Sequence, residues 1–449
     1  MRLQQSPTFQ KLALTIAIAI ALPFSFAQGE VTAQEPPQPV NWQPPQNWEP
    51  VPPQRQEQGL FTIIWLAGTH YEMGVQQAEL LGEDIQRGLG REALNTLDFF
   101  GRALGLSRLA MRRSYPAYVE ECRGLSEGSE KLGMTMDACM MLAFGDVYQE
   151  VFGNILPSIL FHDGCSSFIV SEGATADGNL YHSHTLDNSF PMRHLLENPT
   201  LVIRQPTDGI PYVSVTAPGG VIPTQAMNAA GISISINSAH PENFEELSLQ
   251  GTSNVQMMAE VMSRASSLSD AIAIFSEKER MRGNIITIAD GNQGKGGVLE
   301  VLGFENQLRP LDDKGIVYAS NHFVSEAFVG RDGPSDSSYS RFDRYQQLLE
   351  PDGKDSVFGT LNAEGAVTVL RDRINPATGE ESPPDLFDDD LSIGGNGPLR
   401  QVVFQPKTGL FWVASGVEPP VHAAPFTCFS LSQLLGFPDA VSCPQPEIQ

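Results

Sequence analysis

The sequence has few positive charges and few cysteines for its length. Its 449 residues hold 28 Lys and Arg against 53 Asp and Glu, a formal net charge of −25. A chain this acidic is a poor partner for nucleic acids and anionic membranes, because both would repel it. No long apolar run follows the N-terminal one, so we expect no stable membrane span. Hydrophobic residues still make up 41%, which excludes global disorder and allows a sizeable core.

The N-terminus has the pattern of an export signal. Arg2 and Lys11 are basic, residues 12–22 are apolar, and Ser25-Phe26-Ala27 resembles a cleavage site. The apolar run is shorter than the ~20 residues of a typical membrane span. We therefore predict a signal peptide over residues 1–27 and a secreted or periplasmic protein. An uncleaved membrane anchor is the alternative.

Five cysteines are present, at positions 122, 139, 165, 428 and 443. An exported protein meets an oxidising compartment, where cysteines pair. An odd count leaves at least one thiol free. The pairs nearest in sequence are Cys122 with Cys139 and Cys428 with Cys443, which would leave Cys165 over. Other pairings stay open without distances.

Composition divides the rest of the chain into a linker and a folded region. Residues 28–58 are rich in proline and poor in aliphatic residues, which predicts an extended linker. Residues 59–164 are mainly helical in pattern, with helices expected over 70–106, 117–132 and 136–154. Residues 165–449 have many hairpin patterns and one long helix over 255–276. Hairpins with segregated helices predict an α+β protein with antiparallel sheets rather than a parallel fold.

Metal and serine chemistry are weakly supported. His182, His184 and His194 with Asp187 could hold zinc. The alternative is a set of hydrogen-bonded histidines on a buried strand, which we favour because no HExxH-like spacing is present. The acidic run Asp388–Asp390 lacks the alternating spacing of a calcium loop. The chain has no Gly-x-Ser-x-Gly elbow, so a serine hydrolase is disfavoured, and we predict neither metal nor cofactor.

Cys165 is the candidate nucleophile. It follows Gly164 and begins the first β-rich run of the chain, just after a helical segment. A small buried hydrophobe or one half of a disulfide is the alternative for such a cysteine. The odd cysteine count favours a free thiol at this position.

Several segments around and beyond Cys165 resemble the isopenicillin N acyltransferase-like family of autoproteolytic N-terminal-nucleophile (Ntn) hydrolases. This family is also described as acyl-CoA:6-aminopenicillanic acid acyltransferase-like, and bile-salt hydrolases and penicillin V acylases are more distant relatives. The similar segments occur in the family's order and are GTHYEMGVQQAELL, DGCSSF with HSHTLD, MNAAGISISIN, SNHF, DSSYSRFDR and FQPKTGLFWVASG. The resemblance covers roughly residues 68–416.

This resemblance implies a four-layer αββα sandwich and autoproteolysis between Gly164 and Cys165. Two non-covalently associated chains, 59–164 and 165–449, would result. Gly164 permits backbone conformations that other residues cannot adopt, which would help strain the cleaved bond. The freed α-amino group has a reference pKa of about 7.7–8.0 and can serve as general base for the thiol.

The resemblance also assigns roles to matching positions. Asp187 would orient the amino group or the substrate, and Asn237 would help form the oxyanion hole. Asn321 matches a second polar position near the nucleophile. Arg341 matches the arginine that supports the nucleophile region, whereas Arg344 matches a structural partner. The alternatives are a turn-capping carboxylate for Asp187, a turn asparagine for Asn237 and a structural ion pair on a helix face for Arg341.

One position departs from the family pattern. Relatives often carry an arginine two or three residues before the aspartate, where this chain has His184. Histidine is shorter and titrates near pH 6.5. We take His184 as a substrate-binding candidate, but the family's substrate specificity does not carry over.

We therefore predict a secreted, self-processed cysteine Ntn hydrolase or acyltransferase that acts on the amide bond of a small N-acyl substrate. Two alternatives remain open. One is a lipid amidase or phospholipase-B-like hydrolase of the same superfamily. The other is a non-catalytic exported binding protein on this fold.

Overall fold

The structure is a computed structural model that describes most of the chain. It describes residues 42–89, 95, 98–99, 101–103, 105–129, 133–144, 164–187, 199–239, 248, 250–383, 391–395, 398–415 and 420–449. The predicted signal peptide, the linker residues 28–41, His194, the run Asp388–Asp390 and the end of the third predicted helix lie outside these residues. Within the described ranges, no helix combines the length and apolarity needed to cross a bilayer.

Strands and helices follow one another in a fixed order along the described chain. The strands are β1 Gln54–Gln58, β2 Phe61–Gly68, β3 Ser166–Val170, β4 Tyr181–Asp187, β5 Thr200–Pro206, β6 Tyr212–Thr216, β7 Gln225–Asn228, β8 Ile232–Ser238, β9 Asn284–Asp290, β10 Lys295–Leu302, β11 Glu305–Pro310, β12 Ile316–Ala319, β13 Pro398–Gln405, β14 Leu410–Ser415, β15 Phe426–Ser430 and β16 Glu447–Ile448. The α-helices are α1 His70–Leu89, α2 Leu106–Arg113, α3 Pro116–Gly128, α4 Met136–Phe144, α5 Asn254–Arg264, α6 Leu268–Phe275, α7 Asp336–Leu349, α8 Ala363–Leu370 and α9 Leu431–Leu434.

The described strands form two sheets. The first sheet has the order β1-β2-β5-β6-β7-β8-β9-β10-β11, and the second has the order β12-β3-β4-β13-β14-β15-β16. Neighbouring strands are antiparallel throughout, except that β2 and β5 are parallel. The antiparallel sheets predicted from the hairpin patterns are therefore confirmed.

Four layers follow from the faces that the strands bury. One cluster joins the outer face of the first sheet to α1, α3, α5 and α6, and it includes Ile64, Leu66, Met73, Leu125 and Met258. A second joins the outer face of the second sheet to α7 and α8, and it includes Phe168, Trp412, Tyr345 and Leu370. Inner-face residues of both sheets, such as Trp65, Ile203, Phe404 and Phe411, pack between them. This is the predicted αββα arrangement.

Strand β8 of the first sheet makes side-chain hydrogen bonds to the second sheet. Its isoleucines alternate with serines, which predicts a half-buried strand, yet every residue of β8 is buried. Ser233 and Ser235 face the second sheet, where their hydroxyls bind the two ring nitrogens of His182 at 2.9 and 2.8 Å. The polar face of β8 is satisfied by another side chain instead of by water.

The folded region begins earlier than the sequence predicted. Residues 54–58, assigned to the linker, form β1, which pairs with β2 across a turn in which Gly59 has a φ of 60°. The segment before β1 also contacts the body of the protein, because the Trp48 indole donates to the carbonyl of Leu435 at 2.6 Å. The linker prediction failed here because partners distant in sequence hold a proline-rich segment in place.

The helix predicted over residues 255–276 is two helices. Helix α5 ends at Arg264 and α6 begins at Leu268. The Ser267 side chain accepts a hydrogen bond from the backbone N–H of Asp270 and so caps α6. A capping serine inside an apolar periodic run is the signal that marks this break.

Both disulfides expected from the nearest cysteine pairs are formed. Cys122 bonds Cys139 and links α3 to α4, with Cα atoms 5.5 Å apart. Cys428 bonds Cys443 with Cα atoms 6.0 Å apart. Cys165 is the remaining cysteine, and its thiol is outside both disulfides.

Candidate active site

Cys165 lies at the start of an internal strand of the second sheet. It immediately precedes β3, which pairs with β12 on one side and β4 on the other. Its side chain is only 4% exposed, and its Sγ lies 3.7 Å from the backbone carbonyl oxygen of Asp187. The structure thus brings the predicted nucleophile and the predicted aspartate together.

Gly164 lies against the carboxylate of Asp187. A Cβ atom at Gly164 would stand 2.2 Å from Asp187 Oδ2, far inside van der Waals contact. The glycine is therefore required for space, and the expectation that it also supplies unusual backbone freedom stays a prediction. The carboxylate is adjacent to the Gly164–Cys165 peptide bond.

Arg341 supports the other side of Cys165. It lies on α7, is 1% exposed, and donates from Nη1 to the carbonyl oxygen of Cys165. Its Nη2 donates to Asn321 Oδ1 at 2.8 Å, and its Nε donates to Ser337 Oγ at 3.2 Å. Because a guanidinium is planar, these bonds fix Cys165 and Asn321 relative to one another. Arg341 thus joins Cys165 to Asn321, and the catalytic roles of Arg341 and Asn321 stay predictions.

Arg344, one helical turn further along α7, contacts a different set of groups. It binds the carboxylates of Asp355 and Asp372. This matches the structural role expected for Arg344. The two arginines of the motif thus have separate contacts: Arg341 binds Cys165, and Arg344 joins α7 to Asp355 and Asp372.

His184 is buried in a hydrogen-bonded network and does not face a ligand. Its Nδ1 accepts from the Gln225 amide at 2.6 Å, and its Nε2 lies 3.1 Å from both the Ile236 carbonyl oxygen and Asn237 Oδ1. Burial lowers the pKa of His184 from 6.5 to about 3, so the ring is neutral. The prediction that His184 binds the substrate is corrected, because both ring nitrogens are occupied and the side chain is 0% exposed.

Asn237 lies in the same network. Its amide nitrogen is 3.0 Å from the Ser320 carbonyl oxygen and 3.4 Å from Ser167 Oγ, and the side chain is fully buried. Ser167 is two residues after Cys165 on the same strand face. The amide is therefore near the nucleophile but is engaged with the protein itself, and its role in an oxyanion hole stays a prediction.

His182 occupies a comparable buried position, with both ring nitrogens bound to serines of β8. Its pKa is lowered from 6.5 to about 3, first by burial and second by the neighbouring His184. The two histidines are therefore hydrogen-bonded strand residues. Among the described residues, no three His, Cys, Asp or Glu side chains come together in a group that could hold a metal ion.

Arg400 belongs to the same buried network as His184, and the sequence analysis did not single it out. It lies on β13, is 2% exposed, and donates from Nε to Gln225 Oε1 and from Nη2 to Thr224 Oγ1 at 3.0 Å. Gln225 in turn binds His184, so the network runs from β13 through β7 to β4 and β8. The available signal is a single arginine entering an otherwise uncharged strand, Pro398–Gln405.

A family comparison agrees with the sequence motifs. Residues 175–377 match the model of the family described as acyl-coenzyme A:6-aminopenicillanic acid acyl-transferase. Asp187, Asn237, Asn321 and Arg341 fall within this match, whereas Cys165 and Arg400 lie outside it.

Individual relatives are distant. An uncharacterized protein of Archaeoglobus fulgidus is 25% identical over 305 residues, which cover 58% of this chain and 50% of that protein. The chain thus spans about half the length of this curated relative.

Solved structures overlap in part. An N-acylethanolamine-hydrolyzing acid amidase ortholog from Caenorhabditis elegans has a TM-score of 0.38 and 14% identity, covering 54% of this chain and 93% of that one. Penicillin V acylase from Agrobacterium tumefaciens has a TM-score of 0.32 and 9% identity, covering 60% and 87%. A mutant of conjugated bile acid hydrolase from Clostridium perfringens has a TM-score of 0.30 and 10% identity, covering 63% and 99%. By its matched family model, this chain is similar to the acyl-coenzyme A:6-aminopenicillanic acid acyl-transferase family, as its motifs predicted.

Proposed function

We propose that this chain is a cysteine Ntn hydrolase that releases its own nucleophile by cleaving the Gly164–Cys165 bond and then acts on the amide bond of a small N-acyl substrate. The observation that carries the proposal is the position of one thiol outside the disulfides. Cys165 follows a glycine that is packed against Asp187, and its carbonyl oxygen is held by Arg341.

The self-cleavage step needs no other reactant than water. Sγ of Cys165 attacks the carbonyl carbon of Gly164, the C–N bond breaks, and the nitrogen takes the thiol proton. Water then hydrolyses the thioester, which leaves a Gly164 carboxylate and a Cys165 thiol with an α-amino group. Asp187 lies beside this bond and would become the partner of the new amino group.

The catalytic cycle repeats the same chemistry on a substrate. The α-amino group accepts the thiol proton, and Sγ attacks the acyl carbon of the amide. The amine leaves with that proton, and a thioester to Cys165 remains. Water or a second amine takes the acyl group. We favour water, because an exported enzyme has little access to activated acyl donors.

Export is part of the proposal. Residues 1–27 have the signal-peptide pattern. The two disulfides support an oxidising compartment, because such bonds are rare where thiols are kept reduced. We propose a secreted or periplasmic protein.

The experiment is intact mass and N-terminal sequencing of purified wild type, Cys165→Ser and Cys165→Ala. We expect the wild type to show two chains, one beginning at Cys165, and Cys165→Ala to stay as one chain. A wild type that is a single uncleaved chain by intact mass, as Cys165→Ala is expected to be, would reject self-processing.

Substrate class is tested separately on processed protein. Release of amine from long-chain and short polar N-acyl amides distinguishes a lipid amidase from an amidase of polar substrates. A folded, processed protein whose Cys165 does not react with a thiol probe would favour the non-catalytic binding protein.

A further inference from the structure

Cys165 and Arg400 lie in one row across three neighbouring strands. Ser166 of β3 pairs with Thr185 of β4, so Cys165 lies opposite Leu186. Leu186 in turn pairs with Arg400 of β13. Residues directly opposite in antiparallel strands point to the same face, and strands are spaced about 4.7–4.9 Å apart. The Cα atoms of Cys165 and Arg400 are thus roughly 10 Å apart on the inner face, within reach of an arginine side chain.

Two nitrogens of the Arg400 guanidinium have hydrogen-bond partners, and the third has none among the described residues. Nε binds Gln225 and Nη2 binds Thr224, both neutral partners. Nη1 is buried and has no hydrogen-bond partner among the described residues. A buried N–H without an acceptor is costly unless a ligand or a charge occupies that side. Burial lowers the pKa of Arg400, and the neighbouring Cys165 opposes this with a smaller effect.

Other charges near Cys165 come from different elements. Asp187 on β4 is acidic and lies at Gly164, and Arg341 on α7 binds the Cys165 carbonyl oxygen. His184 on β4 is neutral because burial lowers its pKa to about 3. Burial also lowers the pKa of Arg400, to about 9, which leaves it cationic at neutral pH. Arg400 is therefore a cation on the same face of the sheet as the Cys165 thiol. Its hydrogen-bond partners, Gln225 and Thr224, are neutral.

We propose that Arg400 is a positioning residue that stabilises the thiolate of Cys165, supplied by β13 at a site where His184 replaces the arginine typical of relatives. The inference rests on the proposed function of Cys165 as nucleophile. Gln225 has a part in it, because it holds both the guanidinium and His184.

The test is a titration of the thiol by the ultraviolet absorbance of the thiolate, with the Cys165→Ser protein as background. Cys165 is the only one of the five cysteines outside the two disulfides, so the difference signal belongs to it. We expect Arg400→Gln to move the titration midpoint to higher pH by about one unit, which is about tenfold less thiolate at a given pH below the midpoint. Arg400→Lys, which keeps the charge, should recover most of the shift.

The control is Arg280→Gln. Arg280 is also fully buried and donates to backbone carbonyl oxygens, those of Phe275 and Glu305, near the far edge of the first sheet. Arg280→Gln should leave the midpoint of the Cys165 thiol titration unchanged. An unchanged midpoint in folded Arg400→Gln overturns the proposal, as does an equal shift in Arg280→Gln. If Arg400→Gln does not fold, Arg400→Lys and Gln225→Leu carry the test, and a midpoint unmoved in Gln225→Leu also overturns it.

This measurement can be separated from the proposed function. The thiol titrates whether or not the chain is cleaved, and intact mass reports cleavage in the same samples. A shifted midpoint in an uncleaved, inactive wild type would support the role of Arg400 and reject self-processing. A wild type that is cleaved normally, together with an unshifted midpoint in Arg400→Gln, would support self-processing and reject the role of Arg400.

Discussion

The Asp187 carboxylate and the Cα of Gly164 are packed so closely that a Cβ at Gly164 would stand 2.2 Å from Oδ2. The contact lies at the bond that we propose is cleaved. It makes the glycine a steric requirement of the site, and it places Asp187 beside the amino terminus that the proposed cleavage would create.

Gly164→Ala is therefore expected to slow self-cleavage by about 10- to 100-fold. The added methyl must displace Asp187 or the strand, and overpacking of this kind costs about 1–3 kcal/mol. The measurement is the cleaved fraction over time after purification or refolding. Gly333→Ala is the matched control, because Gly333 has no positive φ and has open space around it. Equal cleavage rates in both variants would contradict the steric role.

Arg341→Lys and Arg344→Lys separate support of the nucleophile from support of helix α7. Arg341→Lys keeps the charge but loses the fork that joins Cys165 and Asn321, so we expect a much lower cleaved fraction. Each hydrogen bond to a charged group that is lost lowers the free energy of unfolding by about 1.5–3 kcal/mol. Arg344→Lys removes bonds to Asp355 and Asp372 and should lower the melting temperature without blocking cleavage. Similar cleavage in the two variants would argue against the assignment.

The cleaved chains should separate under denaturing conditions without reductant. Cys122 and Cys139 both precede residue 164, and Cys428 and Cys443 both follow it, so neither disulfide joins the two chains. Non-reducing denaturing gel electrophoresis is expected to show two bands. One band that separates only after reduction would show a different cysteine pairing.

In the native state the same chains should stay together. Strand β2 of the first chain lies inside the first sheet, between β1 and β5, and it is paired with β5 over residues 62–68. Its buried side chains, including Ile63 and Trp65, contact both sheets. Size-exclusion chromatography should therefore give one peak that contains both chains. Dissociation in native buffer would contradict this packing.

Stability should fall on acidification because His182 and His184 are buried in the neutral form. Burial lowers the pKa of each from 6.5 to about 3. The unfolded chain therefore binds more protons than the folded chain between these two values. The contribution to stability is present above pH 6.5 and is lost progressively as the pH falls toward 3.

Unfolding free energies in the Cys165→Ala background, which keeps the chain in one piece, check this at several pH values below about 6. Each buried neutral histidine contributes a slope of about 1.4 kcal/mol per pH unit. His182→Asn should flatten the pH dependence by that amount, even though it lowers stability at neutral pH by removing the bonds to Ser233 and Ser235. An unchanged slope would show that His182 binds protons equally in the folded and unfolded chains, which contradicts a lowered pKa.

Local sequence patterns predicted much of this protein's architecture. Hairpin spacing predicted antiparallel sheets, cysteine spacing predicted both disulfides, and the odd count left Cys165 outside them, because turns, strands and short loops are decided by neighbouring residues. The order of motifs gave the family resemblance, and with it Asp187, Asn321 and Arg341 near the nucleophile.

Only the tertiary structure decided the environments of these groups. Residues 54–58 became a strand because β2 offered a partner. His184 turned from an expected ligand contact into an internal hydrogen-bonding residue because Gln225 and Asn237 reach it from another sheet. Arg400 lies in one row with Leu186 and Cys165 because β13 lies beside β4, although the two strands are far apart in sequence. Burial and hydrogen-bond partners of this kind depend on which strands lie side by side, and the sequence near each residue does not encode that.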